Sequence, residues 1–396
     1  MYSLAKRFPL IFILLLCDLL YFFPFLNGEK IIGRLDTYYQ FLPYFIYLKE
    51  SLKTFSIPLW WEYTGLGYPF IGVIQSSVLY FPNYPLFMFN NVLSYNLSII
   101  LHFVFLQIVL FKLYREYLKD IFALLATSFF SFSFYILIHL DISTMVYSMP
   151  YFFINFYILK KLLDNEEKDL FLYLKKNKIY IILGALSFSL EFLAGYPQLV
   201  AYNILYFLIF IILYSLIIKK INFNFLISLL TIIILSIPLL FIQYLTTIEL
   251  AKNSWRNLLK DYLYDTGSLP PYMLVTYIFP YIFGGIGNLT YFGPETNAID
   301  LEFINHISII TLPTILFTIY IAIRSKNKNL IILSIMGIIA LLLSFGKYTL
   351  FHYIFQNLPI YSDFRVHCRN MLVVNFILSL FSSLGIFYII KLISIK

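Results

Sequence analysis

Residues 198–218 read QLVAYNILYFLIFIILYSLII and, after Lys219-Lys220, residues 222–243 read NFNFLISLLTIIILSIPLLFIQ. Neither run holds a charged side chain, and each has the roughly 20 residues that a helix needs to cross a hydrocarbon core about 30 Å thick. Where no water reaches, the backbone must satisfy its own N–H and C=O groups, so such a run is a helix. The lysine pair is the punctuation between two spans. Reading outward in the same way, apolar runs between charged stops predict further spans near residues 8–26, 92–111, 121–138, 144–159, 179–194, 306–323, 330–345 and 371–390. The composition agrees, with 61% apolar and 12% charged residues against about 45–50% and about 25% in soluble globular proteins. The expectation is an all-α polytopic membrane protein of about ten transmembrane helices, a single domain over residues 1–396. A water-soluble enzyme and a nucleic-acid binder are excluded, because the basic residues are scattered between apolar runs and never form a long patch.

With the N-terminus cytoplasmic, the inner segments hold 18 of the 28 Lys and Arg residues, as the positive-inside rule requires. Both termini are then cytoplasmic. Lys6 and Arg7 precede the first run as in a secretory signal, but Asn27-Gly28-Glu29 ends it without a small-x-small site, so it reads as an uncleaved anchor. Cys17 and Cys368 give neither a disulfide framework nor metal-ligand spacing. Every inner loop is short, whereas three outer segments are long: 27–91, 244–305 and 346–370. Long loops on a compact bundle usually carry function, which puts any chemistry on the outer face; the plain alternative is that they only cap it.

The first outer segment is the most informative. Phe41, Phe45, Leu48, Leu52 and Phe55 recur every 3.5 residues while Lys49, Glu50 and Lys53 fall elsewhere, which predicts an amphipathic helix lying at the interface with Pro43 in its first turn. The Gly- and Pro-broken stretch from Ile57 to Pro69, with its Trp60-Trp61 pair, reads as a structured interfacial loop. A second short interfacial helix is expected near Tyr80-Phe81-Pro82-Asn83.

Asp36 and Gln40, Pro58-Leu59-Trp60 with Gly65-x-Gly67, Leu79-Tyr80-x-Pro82-Asn83, Ala194-Gly195-Tyr196-Pro197-Gln198, Ser268-Leu269-Pro270-Pro271 through Phe283-Gly284, and Leu358-Pro359 through Phe364-Arg365-x-x-x-Arg369 occur in that order. Together they resemble the YfhO-like family of bacterial integral membrane proteins, placed in the GT-C superfamily of glycosyltransferases. The resemblance implies a GT-C-like fold in the bacterial cytoplasmic membrane, a polyprenyl-phosphate-linked sugar as donor and a cell-envelope glycan or lipid as acceptor. It also implies a catalytic acid just after the first span, which here is Asp36.

The chemistry suits these residue types. A sugar leaving a lipid phosphate passes through an oxocarbenium-like state while the acceptor hydroxyl gives up a proton, which a carboxylate can take. The departing phosphate wants a guanidinium fork, and the outer arginines are four: Arg34, Arg256, Arg365 and Arg369. Arg365 and Arg369, spaced i, i+4, would share a helical face; otherwise they anchor a span at the headgroups. Glu62, Asp141, Gln40 and Gln198 are candidates for orienting sugars, against the duller reading of solvated or turn-forming side chains. Asp36 has its own dull reading as a helix cap. No metal ligand set stands out, although a divalent cation is compatible with the reaction. Asp18, His102 and Glu191 lie in or near spans and need partners there; Asp18 and Glu191 are the best sequence argument for the rival reading, a lipid or polysaccharide transporter, and an inactive GT-C-like scaffold is a third reading.

Overall fold

The computed structural model describes residues 8–218, 221–254, 264–285, 290–293, 300–307, 309, 311–357 and 361–394. In chain order its α-helices are α1 (Phe8–Phe22), α2 (Leu42–Lys53), α3 (Asn91–Tyr114), α4 (Asp120–Ser131), α5 (Phe134–Ile138), α6 (Ser143–Leu163), α7 (Leu170–Leu193), α8 (Pro197–Ile218), α9 (Phe223–Lys252), α10 (Thr311–Ser325), α11 (Lys328–Ser344), α12 (Phe351–Phe355) and α13 (Met371–Ser394). Helix therefore occupies each apolar run. Among the described residues the departure from an all-α chain is one antiparallel two-stranded ladder, Trp60–Trp61 (β1) against Tyr68–Pro69 (β2), in the segment 27–91.

Among the described residues four helical stretches are long and apolar enough to cross a membrane: α3, α8, α9 and His367–Ser394, which contains α13. The α4–α5 pair, bent by 45°, makes a fifth if it is one broken span. Of the other helices read as spans, α1, α10 and α11 are shorter, at 15, 15 and 17 residues, and α6 and α7, at 21 and 24 residues, are not among the four.

The packing follows from the side chains. α13 lies against α4, α10 and α11, and its Ser379, Ser382 and Ser383 are fully buried. Small hydroxyl residues let apolar helices approach closely and bond across the contact: Thr318 Oγ1 of α10 donates to the Phe381 carbonyl at 2.7 Å, and Ser383 Oγ donates to the Phe122 carbonyl at 2.6 Å. α6 is similarly enclosed by α3, α7 and α8. α9 packs on α7 but leaves Leu230, Ile233, Ile234, Ile237 and Phe241 more than half exposed. An apolar face of that kind is what lipid covers.

The amphipathic helix of the segment 27–91 is present with two differences from its sequence reading. Helical backbone begins at residue 35, and Thr37–Phe41 forms a π-turn in which the Leu42 N–H reaches back to the Thr37 carbonyl. Pro43 cannot donate a helical hydrogen bond and its ring crowds the preceding turn, so the widened turn sits immediately ahead of it. Pro43 is thus inside the helical run rather than at its start. Lys49, read as part of the polar face, is buried: its Nζ donates to the Phe89 carbonyl at 2.5 Å and to Asn91 Oδ1 at 2.8 Å, tying α2 to the N-terminus of α3. The expected second interfacial helix is a 3-10 stretch, Phe81–Met88.

Candidate functional site

Asp36 stands in the first turn of the run that leads into α2, exposed, in right-handed helical conformation and without a side-chain capping hydrogen bond. The cap reading of this residue is therefore set aside. The helix N-terminus favours its negative charge. Its neighbour Thr37 is fully buried and donates from Oγ1 to the Asp141 carbonyl at 2.9 Å, which fixes the turn against the loop after α5.

The same loop holds Arg34. Its Nε and Nη2 both donate to Asp141 Oδ2, at 3.1 and 2.8 Å, and Nη2 also reaches the Ile138 carbonyl. Asp141 is accordingly engaged by a guanidinium through Oδ2. Two residues before it, His139 is buried with Nδ1 against the Tyr135 carbonyl and Nε2 3.3 Å from Glu302 Oε2.

Glu302 is the centre of a buried polar cluster. Arg369 grips it with both sides of its fork, Nε to Oε2 at 2.9 Å and Nη2 to Oε1 at 2.7 Å. Burial by itself would push the Glu302 carboxyl up; the Arg369 guanidinium, with a smaller contribution from His139, more than reverses this and holds it well below the usual carboxylate range. Arg369 Nη1 donates to Gln198 Oε1 at 3.2 Å, and Gln198 Nε2 donates to the Arg365 carbonyl and to Tyr202 OH. One polar belt thus links the loop after α5, the 3-10 turn Asp300–Phe303, the first turn of α8, and the segment before α13.

The proposed pair of forks on one helical face is corrected by this geometry. Val366 adopts φ +65°, a left-handed conformation that breaks any helix between Arg365 and Arg369, and a 3-10 turn, His367–Asn370, follows. Arg365 is left exposed while Arg369 turns inward to Glu302. Gln198 is buried and its amide is spent on Arg369, Tyr202 and the Arg365 carbonyl, so it holds the site together from behind. Gln40 donates to Gln75 Oε1 at 2.8 Å at the edge of a cleft lined by Tyr44, Gln75, Asn83 and Thr144. Glu62 is exposed between the two short strands. Arg256 lies outside the described residues.

Sequence reasoning missed Glu302. Its neighbours, Asp300-Leu301-Glu302-Phe303-Ile304, read as an ordinary loop, and only the distant Arg369 makes the acid significant. Among the described residues no three His, Cys, Asp or Glu side chains gather as a metal would require; a divalent cation would find Asp36 and Asp141 here, the second already held by Arg34.

Of the polar residues read as costly inside spans, His102 has both ring nitrogens engaged and Asp18 one of its two carboxyl oxygens, Oδ2 having no partner among the described residues. His102 Nδ1 donates to the Ser98 carbonyl and Nε2 accepts from Tyr80 OH, both at 2.6 Å. Asp18 Oδ1 accepts from Gln107 Nε2 at 2.9 Å. Glu191 is buried, and Asn155 and Asn203 both donate to its Oε2.

No protein-family model matches the chain, and neither a curated protein nor a solved structure matches it.

Proposed function

We propose that this protein transfers a sugar from a polyprenyl-phosphate donor to a cell-envelope acceptor on the outer face of the bacterial cytoplasmic membrane, with all ten apolar helical segments spanning and a GT-C-like arrangement. The observation that carries the reading is Asp36: a carboxylate in the first turn of an interfacial helix, exposed and uncapped, beside the loop that carries Asp141. That is where an acceptor hydroxyl and a lipid-borne sugar can meet, since the donor's tail keeps its phosphate at the membrane boundary.

In this mechanism Asp36 accepts the acceptor's hydroxyl proton as its oxygen bonds to the sugar's anomeric carbon. The bond from that carbon to the phosphate oxygen breaks, and the electron pair leaves with the polyprenyl phosphate. Of the outer arginines, Arg34 is paired with Asp141 and Arg369 with Glu302. Arg365, exposed ahead of α13, and Arg256 are the cations assigned to the phosphate, and Gln40 and Glu62 are assigned to the sugars. Arg369 is a positioning residue that holds the turn behind Arg365.

The test is transfer from a polyprenyl-phosphate sugar in reconstituted vesicles. Asp36→Asn should lower the rate by about 10²–10⁴-fold, the usual worth of a general base, with the melting temperature unchanged. Undiminished transfer by Asp36→Asn would remove the mechanism.

A further inference from the structure

Near the outer end of α7, Glu191 is completely buried, with Asn155 from α6 and Asn203 from α8 nearly so. Both amides donate to the same carboxyl oxygen: Asn155 Nδ2 to Glu191 Oε2 at 2.8 Å and Asn203 Nδ2 to Oε2 at 2.7 Å. Two oxygens in this cluster are left without partners, Glu191 Oε1 and Asn203 Oδ1. Both are acceptors in an ionised cluster, and neither can satisfy the other. A buried acceptor without a donor is costly, and a buried unpaired charge more so. The helices packed on α7 are α6, α8 and α9; the side chains bonded to the Glu191 carboxyl are the two neutral amides, and no Lys, Arg or His among the described residues bonds to it.

We propose that Glu191, Asn155 and Asn203 form an intramembrane proton-binding site in which Glu191 is the carboxylic acid. A single proton on Oε1 turns that orphaned acceptor into a donor, and an acid–amide ring with Asn203, whose Nδ2 already bonds Oε2 at 2.7 Å, is the pairing that would use both orphans. It also removes the charge from a place where nothing balances it. A metal cation fits less well, because hard cations gather about six oxygens and two unpartnered ones are on offer here. The inference is independent of Asp36 and of glycosyl transfer.

Infrared spectroscopy of the purified full-length protein at neutral pH tests it. The wild type should show a carboxylic-acid C=O stretch that Glu191→Gln removes, and Asn203→Leu should shift that band by deleting the ring partner. Because Gln presents the same donor and acceptor as the acid, Glu191→Gln should fold and melt at the wild-type temperature, whereas Glu191→Leu should melt lower by stranding two amides. The proposal is overturned by a missing Glu191-dependent band, by a Glu191→Gln chain that fails to fold, or by sodium raising the melting temperature of the wild type and not of Glu191→Gln, which would make the occupant a metal ion.

Discussion

Glu302 shows how one side chain can decide what its neighbours are free to do. A buried carboxylate needs a cation with matching geometry, and Arg369 supplies a two-bond fork. Removing one member of such a pair leaves the other charge uncompensated, which typically costs about 3–5 kcal/mol. Glu302→Gln should therefore lower the melting temperature markedly, while Glu302→Gln combined with Arg369→Met should melt higher than the single variant; a single variant as stable as the wild type would show that the pair is not held together in the folded protein. The pair also sets a pH dependence. Glu302 ionises more readily in the folded chain than in the unfolded one, so its contribution is fully present above the ordinary glutamate value of about 4.3 and is lost as the pH falls below it toward the depressed folded value. Melting temperatures of wild type and Glu302→Gln should converge between about pH 4 and pH 2 and separate fully by about pH 6. A constant gap across that window would place the stabilisation elsewhere.

At the scale of elements, apolar length was legible and backbone detail was not. The apolar runs read as spans are helical, and among the described residues four helical stretches are long and apolar enough to cross a membrane, where a backbone has no other way to satisfy its N–H and C=O groups. The i, i+4 spacing of Arg365 and Arg369 misled because periodicity carries no information about Val366, whose left-handed backbone is imposed by the tertiary contact of its N–H with the Thr266 carbonyl. Lys49 misled for a related reason: its partners, the Phe89 carbonyl and Asn91, lie about forty residues away, and a 3.5-residue pattern sees only its own helix. The turn between α7 and α8 offers a quantitative check on how elements seat. Gly195 has φ +98°, and a Cβ there would lie 2.6 Å from the Ile74 carbonyl oxygen. Gly65 also has positive φ, +59°, but faces open space. Gly65→Ala should cost only the left-handed penalty of about 1–2 kcal/mol, whereas Gly195→Ala must in addition push the 3-10 turn at Ile74 off the α7–α8 turn. Thermal melts should rank Gly195→Ala clearly below Gly65→Ala; equal losses would mean that the contact yields freely.

For the whole molecule, the candidate site makes sense only if Asp36, Glu62 and the Arg365 segment face one compartment and the lysine-rich turns face the other. The packing is compatible with this division: Arg34 with Asp141, His139 and Arg369 with Glu302, and Gln198 with the Arg365 carbonyl join predicted outer segments to one another. Lys161 with Glu116 and the Asn222 amide with the Glu167 carbonyl join predicted inner ones in the same way. Each set closes on itself, as two faces of one slab would. Cysteine accessibility measures the assignment directly. In a Cys17→Ser background, where Cys368 is buried, a Glu62→Cys chain in intact cells should react with a membrane-impermeant maleimide, since residue 62 is exposed. An Asp164→Cys chain, exposed on the turn after α6, should react only after the membrane is permeabilised. Labelling of residue 164 from outside, with residue 62 protected, would turn the protein over in the membrane and take Asp36 away from any acceptor beyond the cell boundary; labelling of both from outside would mean that an odd number of the segments between them fails to cross, and would strike first at the bent α4–α5 pair.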